Sequence, residues 1–198
     1  MIVKNRYVKR RPVQSQQHIR KLLNAHVKYI EHRSREVGET PESRALFDAE
    51  RDRVGREEVV NDVMSHTSPG VSYHKLVLSP ADNEPVTDWR EWTREVMADL
   101  EDHQGKDLHW YAVHHDNTDH GHVHVILAGQ GEDRASGQAT PIGLYEKRGD
   151  FRALIESGRE HSDYDHYQQI QEINRQLNEQ DTVGHEPVAR DVEHDFSR

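Results

Sequence analysis

The sequence predicts an α+β fold. Apolar residues recur at helical spacing in some segments and alternate along strands in others, and the two kinds are interspersed. The chain has 198 residues, enough for one ordinary domain, and only 33% of them are apolar. A modest core under a large polar skin is expected. The absence of cysteine excludes disulfides, thiolate nucleophiles and iron–sulfur clusters, so any metal must be held by His, Asp or Glu. No apolar run approaches the roughly 18 residues of a membrane span, and no leader-like segment opens the chain. A cytoplasmic location is expected.

Taken in order, Met1–Pro12 reads as a basic strand or arm. Gln16–Arg33 reads as a helix, because Ile19, Leu22, Leu23, Val27 and Ile30 fall on one face, with Tyr29 at its border. Thr40-Pro41-Glu42 has the chemistry of a helix start, and the spacing predicts a helix to about Arg53. Gly55 separates it from another helix ending near His66. Ser68-Pro69-Gly70 is a turn. Ser72–Ser79 reads as a strand stopped by Pro80. Asp88-x-x-Glu91 resembles a capping box and opens a helix carrying Trp89, Trp92, Val96 and Leu100. Leu108–His115 and Gly121–Ala128 read as strands, and Phe151–Glu160 and Tyr164–Asn178 as helices. The expected organisation is one domain over residues 1–180 and a polar tail without regular structure over 181–198.

The charge is unevenly placed. Residues 1–35 hold ten Lys and Arg against one acid, Glu31, so the segment carries +9 within a chain of net charge −10, and the remainder carries −19. That asymmetry suits a basic surface for a polyanion, with a solvated basic terminus as the plain alternative.

The most informative stretch is Tyr111–Ala128, which holds five of the 16 histidines. Strand alternation puts His120, His122 and His124 on one face and Val123, Val125 and Leu127 on the other. Imidazoles two residues apart on a rigid strand can grip one cation, and the preceding strand ends in His114-His115. Three histidines suit Mg, Mn or Zn with coordination positions left open for substrate. A merely solvated surface strand is the alternative, and the run of Val123, Val125, Ile126 and Leu127 argues against it. The same string also resembles the signature of the histidine-triad nucleotide hydrolases, which use a His nucleophile.

Three separated segments are together similar to the conjugative relaxases of the HUH endonuclease class. Ala25-His-Val-Lys-Tyr-Ile30 resembles the first motif, in which the Tyr is the nucleophile. His74-Lys-Leu-Val-Leu-Ser79 resembles the second, whose Ser helps position DNA. Ala112-Val-His-His-Asp116 followed by His122-Val-His124 resembles the metal-binding third. Arg44-Ala-Leu-Phe-Asp48 also fits this family, and the likeness spans roughly residues 1–130.

The resemblance implies an antiparallel sheet carrying the His strand centrally, with helices on one face, in the N-terminal domain of such a protein. It implies Tyr29 as nucleophile, Ser79 and Asp116 as its helpers, and a divalent ion, Mg or Mn with Zn possible, on His114, His122 and His124. Alignment from the left favours His114 and gives Asp116 the acid role. Alignment from the right favours His115 and puts Asn117 there. Lys4, Arg6, Lys9, Arg10, Arg11 and Lys28 would contact phosphates. The implied activity is strand-specific nicking of single-stranded DNA at a plasmid transfer origin through a 5′-phosphotyrosyl intermediate. The implied partners are that DNA, accessory relaxosome proteins and a coupling protein, with no membrane. A rolling-circle replication initiator of the same class is a rival, although its motifs usually run in the other order. A tyrosine side chain of ordinary acidity is ionised in only about one molecule in a thousand at pH 7, so the chemistry needs activation.

Overall fold

The computed structural model describes residues 1–9, 15–32, 44–116, 121–163, 168–173 and 175. The chain divides into two compact units, Met1–Tyr164 and Asp165–Arg198. In the second unit, residues 168–173 and 175 are helical. The expected tail, 181–198, lies outside the described residues.

The first unit is built on a four-stranded antiparallel sheet. Its strands are β1 (Ile2–Val8), β2 (Tyr73–Ser79), β4 (Trp110–His115) and β5 (His122–Ala128), in the order β1-β2-β5-β4. The His strand β5 is therefore interior. In an antiparallel sheet, residues paired across strands share a face. The pairs Arg6–Lys75, Lys75–Ile126 and Ile126–Tyr111 lie in one row across the sheet. The pairs Lys4–Val77, Val77–His124 and His124–Val113 lie in the next row on the same face.

That face is covered by α1 (Gln16–His32) and α2 (Arg56–Ser65). Ile19, Leu23, Val27 and Ile30 of α1 and Val59, Val60 and Val63 of α2 are buried against Tyr73, Tyr111, Val113, Ile126 and Ala128. The opposite face is covered by α3 (Trp89–Gln104) and α4 (Asp150–Glu160). Trp92, Val96, Met97, Leu100 and Leu154 pack there on Leu76, Leu78, Trp110, Ala112, Val123, Val125 and Leu127. Helices on one face only is thus corrected to helices on both. The strands have apolar residues at odd and even positions alike, and each face needs its own cover.

Asp88 caps α3 as its sequence suggests: its carboxylate accepts from the backbone N–H groups of Arg90 and Glu91 at 3.0 Å. Gly105 ends the helix in the left-handed conformation at φ 64°. The helix expected over Thr40–Arg53 is absent from its described part, 44–53. There Phe47 exchanges two backbone hydrogen bonds with Ala112, at 3.0 and 2.9 Å, along the open edge of β4. Asp48 accepts from the N–H groups of Glu50 and Arg51 and holds a tight turn. Long-range pairing with the sheet edge outweighs the local helix signal. A small second sheet has the order β3-β6-β7, from Lys106–Asp107 (β3), Gln130–Asp133 (β6) and Gln138–Pro141 (β7). Its strands are polar and short, so sequence alternation does not reveal them.

Candidate metal centre and its surroundings

His115, the last residue of β4, pairs directly with His122, the first residue of β5. His124 shares their face two residues further along. One ligand atom of each of His115, His122 and His124 lies within 4.8 Å of the other two. Ring centroids are 5.4 Å apart for His115–His122, 4.6 Å for His115–His124 and 5.1 Å for His122–His124. His115 is fully buried, and His122 and His124 are half-buried. A set of three imidazoles fits a divalent ion with coordination positions left over.

His115 has a further feature of metal ligands. Its Nε2 donates to the backbone carbonyl of Ile30 at 2.5 Å. That bond fixes the tautomer and leaves the lone pair on Nδ1. Ile30 is on α1, one residue after Tyr29, so the bond ties the tyrosine helix to the histidine cluster.

His114, the third ligand favoured by left alignment, points to the other face. Its ring stacks on Trp89 with centroids 4.3 Å apart and planes 14° from parallel. The structure therefore brings His115, not His114, to His122 and His124. The physical reason is parity, because neighbours on a strand face opposite sides of the sheet. His120 and Asn117 lie outside the described residues.

Tyr29 is 51% exposed on α1. Ser79 ends β2, one step beyond the Leu78–Val123 pair, on the same sheet face as Val77 and His124. Asp116 is exposed immediately after His115. Lys4 and Arg6 are exposed on β1, on the face that carries the histidine cluster, and Lys28 is exposed on α1. Lys9 instead lies over the ring of Tyr7, 5.1 Å from its centroid. Arg10 and Arg11 lie outside the described residues.

Two residues of this face are missed by motif reading. Lys75 sits across from Arg6, and its pKa is lowered by burial and then by the Arg6 charge. His26 on α1 is pushed down to about 4 by burial, with the Lys75 charge adding to it, so its ring is neutral at pH 7. Both were legible by period: Lys75 shares the β2 face of Ser79, and His26 lies in the Tyr29 motif.

No protein-family model matches the chain, and no curated protein matches it. No helix among the described residues is long and apolar enough to cross a membrane.

Proposed function

We propose that the chain is a relaxase-type nuclease that nicks single-stranded DNA at a transfer origin by tyrosine transesterification. One observation carries the reading. The bond from His115 Nε2 to the Ile30 carbonyl joins two segments 85 residues apart in sequence, and these are the segments that resemble the nucleophile and metal motifs of one family.

In this reading the Tyr29 oxygen attacks the scissile phosphorus. A phosphotyrosyl bond to the 5′ side forms, the bond to the 3′ oxygen breaks, and a free 3′-hydroxyl leaves. The phenolic proton passes to Asp116, the exposed carboxylate just after β4, and the departing 3′ oxygen takes up a proton from solvent, to which Asp116 returns its own. His115, His122 and His124 would hold a divalent ion, which would supply Lewis acidity toward the phosphate oxygens when bound. The Ile30 contact holds His115 in one tautomer and sets the distance between α1 and the sheet. Ser79 contributes a hydroxyl at the same end of the face. Lys4, Arg6, Lys28 and Lys75 supply positive charge to the phosphates on either side, despite the acidic total. Because one ester replaces another, the nick is resealed without a nucleotide.

The test is Tyr29→Phe. The variant keeps the ring and helix and loses one hydroxyl. It should bind manganese and single-stranded origin DNA like the wild type, yet form no covalent protein–DNA adduct on a denaturing gel. Loss of a nucleophile costs several powers of ten in rate, about 5 kcal/mol or more in the barrier. An adduct formed by the Phe variant would assign the nucleophile elsewhere. No adduct from wild type with a cognate strand and metal would end the relaxase reading. Turnover of nucleotides in EDTA would favour a histidine-triad hydrolase instead.

A further inference from the structure

We propose that Asp62, His66 and His109 form a second divalent-cation site, of the zinc class, distinct from the His115 cluster. Their ligand atoms also lie within 4.8 Å of one another. The two sites sit at opposite ends of β4. His109 precedes the strand and His115 ends it, so they are six positions apart, about 20 Å of extended chain.

The construction is local on one side and long-range on the other. Asp62 and His66 are four residues apart, one on α2 and one at its C-terminal cap, so their side chains rise on one helical face. This spacing is the one by which helices present two metal ligands. His109 comes from the loop that enters β4. Asp62 Oδ1 is 3.2 Å from His66 Nδ1, and Asp62 Oδ2 is 3.4 Å from His109 Nδ1. In a tetrahedral zinc site with bonds of about 2.0–2.1 Å, neighbouring ligand atoms are about 3.3–3.4 Å apart. Each imidazole stands at about that spacing from one oxygen of the carboxylate, a different oxygen for each. The rings of His66 and His109 are stacked, with centroids 3.5 Å apart and planes 12° from parallel; imidazole lone pairs lie in the ring planes, so taking up one ion requires the two rings to swing out of this stack.

The surroundings are those of a ligand set. Tyr111 Oη donates to Asp62 Oδ2 at 2.8 Å and holds the carboxylate in orientation, as outer groups do around metal ligands. The three side chains are 25–35% exposed, open enough for an ion to enter. Two imidazoles and one carboxylate leave a fourth position for water, the donor set of zinc rather than magnesium. The Asp62 carbonyl, 2.9 Å from His66 Nδ1, competes as acceptor for a proton on that nitrogen. Ion binding displaces that proton to Nε2 or to solvent. The plain alternative is a carboxylate that shares protons with two histidines.

The test is zinc titration by calorimetry, with circular dichroism to verify folding. It starts from a chain carrying His122→Ala and His124→Ala, which removes the first cluster. One zinc should still bind. Adding His109→Gln, or separately His66→Gln, should weaken it at least 100-fold, while Asp62→Asn, which keeps a partner for Tyr111, should weaken it about tenfold. If both glutamine variants bind zinc as tightly as their parent, or if the parent binds none, the site is wrong. If wild type binds only one zinc and loses it with His66→Gln but not with His122→Ala, this site stands and the His115 cluster fails as a metal centre.

Discussion

Replacing His115 and His114 one at a time separates metal chemistry from packing. His115→Ala removes one of the three candidate ligands. It should weaken manganese binding at least 100-fold, about 2.8 kcal/mol in binding free energy. It also leaves the Ile30 carbonyl without its 2.5 Å donor at a fully buried position. An unsatisfied buried acceptor costs about 1–3 kcal/mol, and the vacated ring adds a cavity cost. His114→Ala touches neither. It loses the stack on Trp89, whose centroid distance of 4.3 Å is near the optimum for offset rings. Such a pair is worth about 0.5–1.5 kcal/mol, equivalent to a few degrees in Tm for a chain of this size. Manganese affinity should be unchanged. Calorimetry for metal and thermal unfolding for stability measure the two effects on the same samples. If His114→Ala abolished manganese binding while His115→Ala kept it, the parity argument and the site built on it would both be wrong.

The other predictions use different parts of the molecule. Lys4→Ala with Arg6→Ala should lower single-strand affinity and make it less dependent on salt, the log–log slope falling by about 0.7 for each phosphate that is no longer neutralised; fluorescence anisotropy across a series of salt concentrations checks it. The pKa of His26 lies near 4 in the fold against an ordinary 6.5. The unfolded chain therefore binds more protons between those values, and stability should fall as pH drops from about 6.5 to 4, with none of this effect above 6.5. After allowance for screening the loss is on the order of 2–3 kcal/mol, and His26→Gln should remove that portion from urea titrations run across the interval. Gly129→Ala should destabilise the domain by roughly 2–4 kcal/mol in the same assay, because an added Cβ would overlap the Val71 carbonyl, a backbone atom that no side-chain rotation can move aside.

The sequence makes some of this structure plain and hides the rest for physical reasons. Ile19, Leu23, Val27 and Ile30 mark α1 because a solvated helix shows its buried stripe as a period. Asp88 marks the start of α3 because capping is a short-range interaction between residues two and three apart. The irregular path of residues 44–53 is invisible because its decisive partner, Ala112, is 65 residues from Phe47. The same limit hides the cluster of Asp62, His66 and His109: Asp62 and His66 share a recognisable spacing, but nothing local links them to His109.

The choice between His114 and His115 shows the limit most sharply. Strand alternation assigns faces only relative to a known phase, and in a half-solvated strand the apolar positions supply it. Trp110, Tyr111, Ala112 and Val113 are all buried, two against α3 and its neighbours and two against α1 and α2. An apolar side chain at every position carries no phase, so the strand reads equally well in either parity. β5 retains its phase, because His122 and His124 alternate with Val123 and Val125, and its register with β4 then fixes the answer. His115 pairs with His122, and residues paired across an antiparallel ladder face the same way. The ligand assignment is thus a property of the pairing between two strands, which places His115 beneath the Ile30 carbonyl and leaves His114 to the Trp89 ring on the far side of the sheet.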